Sequence, residues 1–67
     1  MEKSFYVELV ANRKTRSFKR VNNEKAVFKL LDRFLNKYNQ QVNRINESGK
    51  RTEYVCENDA YRVIVNV

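Results

Sequence analysis

A chain of 67 residues forms one domain at most, near the lower limit at which a single core holds itself together. Its 14 Lys and Arg against 8 Asp and Glu give a net charge of +6 and a pI near 9.8, which favours polyanions or acidic protein surfaces as partners. With no His, one Gly and one Cys, the chain lacks the residues of most transition-metal sites, of glycine-rich phosphate loops and of base-activated nucleophiles. No metal, cofactor, small-molecule substrate or catalysis by this chain alone is therefore expected.

The opening residues Met1 to Tyr6 lack the apolar stretch and cleavage site of a signal peptide. No run approaches the ~20 apolar residues that cross a bilayer, so the expected compartment is the cytoplasm, with no membrane contact. Cys56 has no internal partner for a disulfide and reads as a reduced, buried thiol.

In chain order, Phe5, Val7, Leu9 and Ala11 alternate with Tyr6, Glu8 and Val10, the two-residue period of a half-buried strand. A second strand follows over residues 16 to 21, after a polar loop Asn12-Arg13-Lys14-Thr15. A four-residue loop pairs Leu9 with Phe18 on one face and Glu8 with Lys19 on the other, joining apolar to apolar and acid to base. Asn22 and Asn23 are candidate N-caps, and Glu24 adds a favourable charge to the first turn of a helix.

From Glu24 to about Asn46 the period is helical. Val27, Leu30, Leu31, Phe34, Leu35, Tyr38, Val42 and Ile45 fall on one arc, and Glu47-Ser48-Gly49 ends the element. A second hairpin, 51 to 57 and 60 to 67 around Asn58-Asp59, pairs Cys56 with Tyr61, Tyr54 with Val63 and Thr52 with Val65. The expected fold is α+β, ββαββ, with one amphipathic helix on one face of a four-stranded, mainly antiparallel sheet.

Three surfaces are candidates for binding. Residues 13 to 25 hold six basic side chains against one acid, and Arg13, Lys14, Arg16, Lys19 and Arg20 on the first hairpin could neutralise phosphates. The same charges would also guard a sheet edge against aggregation. Lys25, Lys29, Arg33 and Lys37 recur every fourth residue along the helix, with Arg44 in the same sector and Asp32 the one acid after Glu24. That row serves either as a solvated face or as a second anion-binding surface. The two basic surfaces are expected to face apart, so that one duplex does not touch both.

The third surface is the sheet face away from the helix, where Tyr6, Val10, Val21, Val55 and Ile64 are expected as an interface for a homodimer or another protein. With Tyr6 its one exposed aromatic, this face gives base stacking little to work with. Glu53, Glu57 and Asp59 read as a solvated turn, not a carboxylate site.

The leading functional expectation is a non-enzymatic, small basic protein that binds nucleic acid, most readily DNA, through the first hairpin. The alternative is a small phage- or mobile-element-type protein that binds and inhibits or adapts an acidic host protein.

Overall fold

A computed structural model describes residues 4–67; Met1, Glu2 and Lys3, read above for a signal peptide, lie outside the described residues. The elements are β1 (Phe5–Ala11), β2 (Lys14–Val21), α1 (Glu24–Tyr38), β3 (Val42–Ser48), β4 (Arg51–Cys56) and β5 (Arg62–Asn66). The fold is α+β, as expected, but the sheet has five antiparallel strands in the order β2-β1-β5-β4-β3. Among the described residues no helix is long and apolar enough to cross a membrane.

β5 takes the centre of the sheet, and its sequence explains why. Val63, Ile64 and Val65 are all buried, and such a continuous apolar run suits a strand covered on both faces. On the helix side, Val7, Val63 and Val65 meet Val27, Leu31 and Phe34 of α1 in one core cluster with Phe5, Ala11 and Cys56. The helix lies obliquely. Its first turns border Thr52, Tyr54, Val65 and Val67, whereas its last turns border Leu9, Arg16 and Lys19 of the β1–β2 edge.

The helix is shorter than its apolar periodicity suggests. Asn39 adopts the left-handed conformation (φ 52°, ψ 48°), and the Gln40 N–H donates to the Leu35 carbonyl at 2.9 Å, a Schellman-type stop in which Asn replaces the usual glycine. Residues 42–46, expected as the end of the helix, belong to β3 (Val42–Ser48) instead. A bulge between Val42 and Arg44 explains the misleading pattern. The extra residue, Asn43, turns Val42 and Ile45 to the same side of a strand, so the i,i+3 spacing of a helix fits a bulged strand equally well. Gly49 (φ 59°) therefore opens the tight turn between β3 and β4, where the first position of a type II′ hairpin requires positive φ.

The second hairpin keeps its expected register, Tyr54 opposite Val63 and Thr52 opposite Val65, and the Cys56 N–H donates to the Tyr61 carbonyl at 3.1 Å. The first hairpin does not. Only Asn12 and Arg13 form its turn, both at positive φ (54° and 66°), the pattern of a type I′ turn. A bulge opposite Leu9 and Val10 leaves Arg16 unpaired in the register and sets Leu9 against Ser17, Glu8 against Phe18 and Phe5 against Val21. This is one residue away from the expected pairing, and a one-residue slip exchanges the two faces. Val21, expected on the open face, therefore packs against the core beneath the helix, while Phe18 emerges on the open face.

Of the two candidate N-caps, Asn23 performs the role: its Oδ1 accepts the Ala26 N–H at 2.9 Å. Replacing Asn23 with Ala leaves a helix amide without this partner and is expected to cost about 1 kcal/mol. Asn22→Ala, at an exposed position outside the cap, is expected to stay within about 0.5 kcal/mol. Urea unfolding midpoints of the two variants measure the difference.

Candidate nucleic-acid interface

The bulge in β2 and the oblique path of α1 bring together cations that lie far apart in sequence. Arg16 and Lys19 of β2 face Arg33 and Lys37 of α1 across a groove of about 240 Å³, with Leu9, Leu30 and Phe34 among its apolar lining and Ser17 on the strand side. Two of the four are held by contacts of their own. Arg16 Nε donates to the Ala11 carbonyl at 3.2 Å, and the Lys37 ammonium sits 5.4 Å from the centre of the Tyr38 ring, a cation–π contact. Tyr38 is in turn held between Phe34 and Tyr61, at ring distances of 5.0 and 5.3 Å.

Among the described residues the ion pairs are Arg13–Asp59 at 3.8 Å and Arg62–Glu53 at 3.1 Å, and none of the four groove cations takes part in either. Asp32, the acid on the helix after Glu24, accepts a long hydrogen bond from the Asn36 amide (3.5 Å). Like charges gathered without counter-charge repel one another, and a bound anion relieves that repulsion.

The cations named from the sequence thus divide into three groups. Arg16, Lys19, Arg33 and Lys37 share the groove, which corrects the expectation that hairpin and helix charges face apart. Lys14 pairs with the core residue Ala11 and so stands on the same side of β2. Lys25 and Lys29 continue the helix row toward solvent, at four-residue steps from Arg33. Arg13 and Arg20 belong elsewhere: Arg13 pairs with Asp59 at the hairpin tip, where its N–H also donates to the Ala60 carbonyl (2.9 Å). Arg20 stands opposite Tyr6 on the open face and donates to Ser4 Oγ at 3.0 and 3.1 Å. Arg44 is on β3, opposite Val55, and has left the helix row.

The open face is electrostatically different. Arg13, Arg51 and Arg62 line one shallow depression with Glu8, Glu53 and Asp59, so its charges compensate each other. Arg62 donates to Glu53 Oε2 and, through Nε, to the Asp59 carbonyl at 2.9 Å. Tyr6, Val10, Val55 and Ile64 stand on this face, but Val55 and Ile64 are buried there, at 2% and 9% exposure, so they offer little apolar surface to a partner. The exposed apolar surface comes from Tyr6 and from Phe18, which the expected pairing with Leu9 would set on the helix side. Their rings lie 6.3 Å apart and 27° from parallel.

Comparison with known proteins yields no counterpart: no family model, no curated protein and no solved structure matches this chain.

Two titratable groups give tests of this arrangement. Burial pushes the Glu53 carboxyl up, but hydrogen bonds from Arg62 and Asn46 and the charges of Arg62 and Arg51 outweigh it, holding the group below its ordinary 4.5. A carboxyl lowered by folding contributes stability above its unfolded value, and that contribution disappears as pH falls through the lowered folded value. Urea midpoints measured from pH 7 downward should therefore fall less steeply below about pH 4.5 in Glu53→Gln than in the wild type.

Burial alone raises the Cys56 thiol above its ordinary range, and the side chain is 1% exposed. A disulfide reagent at mildly alkaline pH is expected to titrate one thiol rapidly in denaturant and much more slowly in the folded protein.

Proposed function

We propose that the chain is a non-enzymatic, cytoplasmic nucleic-acid-binding protein that holds phosphates in the groove between β2 and α1. One observation carries this reading: four cations from two separate elements converge on one concave site, and among the described residues no carboxylate is paired to them. Lys14 and Lys29 extend the positive surface at either side. The first hairpin contributes through Arg16 and Lys19 of its second strand. Arg13 and Arg20 already hold Asp59 and Ser4 and contribute less.

The groove also favours a second reading, because Leu9, Leu30 and Phe34 among its lining would suit an acidic protein segment with an apolar side chain. That partner would fit a small inhibitor or adaptor of the phage or mobile-element type. A pull-down with and without nuclease separates the two: recovery that depends on nucleic acid favours the first reading, and one protein recovered regardless favours the second.

Salt dependence measures the phosphate contacts directly. Each phosphate neutralised on duplex DNA contributes about −0.9 to the slope of log K against log salt, so four contacts give a slope of about −3.6. Arg33→Ala should weaken binding to unrelated sequences alike and make the slope shallower by about 1. A slope near zero, or one unchanged in Arg33→Ala, removes this groove as the binding site.

A further inference from the structure

β2 sends Arg16 and Lys19 to one face and its aromatic ring to the other. Lys19 faces the groove, and the adjacent Phe18 stands on the open face, 61% exposed and, among the described residues, the most exposed of the large apolar side chains. Tyr6, 39% exposed, lies beside it with its ring 27° from parallel. Arg20, on the same face of the same strand, is fixed by its hydrogen bonds to Ser4. β2 is also an outer strand of the sheet, so a chain that leaves the groove over this edge meets Phe18 on β2 first and then Tyr6 on β1, the next strand.

We infer that the nucleic acid taken by this groove is single-stranded, with phosphates held by Arg16, Lys19, Arg33 and Lys37 while the bases turn over the β2 edge onto Phe18 and Tyr6. This rests on the nucleic-acid reading above. The chemistry separates the alternatives: a duplex keeps the faces of its bases inside its own stack and presents only base edges and backbone. A single strand offers every base face to an exposed aromatic ring, without regard to sequence. An exposed phenylalanine on an edge strand invites aggregation when it has no such use.

The test titrates an oligothymidylate, an oligouridylate and a mixed-sequence duplex at one salt concentration. The proteins are the wild type, Phe18→Ala, Phe18→Leu, Phe18→Trp and the double variant Arg33→Ala/Lys37→Ala, each checked for an unchanged thermal transition. Single strands should bind more tightly than the duplex. Phe18→Ala and Phe18→Leu should each lose about ten-fold in affinity for the single strands and keep their duplex affinity, while Phe18→Trp binds single strands at least as well as the wild type. The thymidylate and uridylate arms distinguish DNA from RNA.

The inference is overturned if Phe18→Leu binds single strands like the wild type, or if the duplex loses as much as they do. The groove variant isolates the underlying reading. If it lowers affinity for all three ligands while the Phe18 variants change nothing, phosphate binding stands and the single-strand inference fails. If it lowers affinity for none, the phosphate reading itself fails.

Discussion

The faces of β2 are set by one extra residue. Between Thr15, which pairs with Val10, and Ser17, which pairs with Leu9, the bulge accommodates Arg16, and every residue beyond it is turned over relative to an unbulged strand. The groove depends on this. Ser17, a small side chain, occupies the helix-facing position opposite Leu9, and the space beside it, bordered by Leu30 and Phe34, is the groove. In a register that set Phe18 opposite Leu9, the phenyl ring would point into that space. Val21 would then leave the core it shares with Phe5. The bulge therefore opens the basic cleft, seals the start of the helix layer and exposes the aromatic ring in a single step.

A second bulge, at Asn43, performs a related service at the opposite edge. It turns Val42 and Ile45 to one side of β3 and lets the sheet add a fifth strand after a helix of 15 residues. These two insertions mark where the fold could be read from the sequence and where it could not. The start of the helix was legible because Asn23 and Glu24 are chemically suited to orphan amides and a positive dipole end. The β4–β5 register was legible because alternation and a tight turn point to one pairing. Residues 39 to 48 were not, since Tyr38, Val42 and Ile45 continue the helical period. Their true state depends on a left-handed Asn39 and on ladder partners in β4, the farthest of them Cys56 opposite Val42.

The candidate site was legible as a list of residues and not as an arrangement. Periodicity identified the row Lys25, Lys29, Arg33 and Lys37, and composition identified the basic hairpin. Their convergence follows from the angle at which α1 crosses the sheet, which no local pattern encodes. The same angle separates charge across the molecule. At the far flank of the helix, burial together with the Glu47 and Glu24 charges raises the Tyr54 hydroxyl above its ordinary range, which places two carboxylates near the β4 side while the β2 side holds four cations. Phe18 was misplaced for a different reason: alternation tells which residues share a face, but without the bulge it cannot tell which face that is.

The two edges of the sheet differ in charge. Edge strands are guarded against pairing with other chains by charged side chains and by bulges. β3, the edge at the other side, has a bulge and, within its seven residues, Arg44 and Glu47, a net charge of zero. β2 has a bulge too, yet carries Lys14, Arg16, Lys19 and Arg20 without one acid. Protection of an edge requires neither that Arg16 and Lys19 face Arg33 and Lys37 across a groove nor that Phe18 stand uncovered on the same strand. Protection of the edge accounts for β3. On β2 the surplus of charge, the turn of Arg16 and Lys19 toward the helix and the exposed ring beside them go beyond what protection of an edge requires.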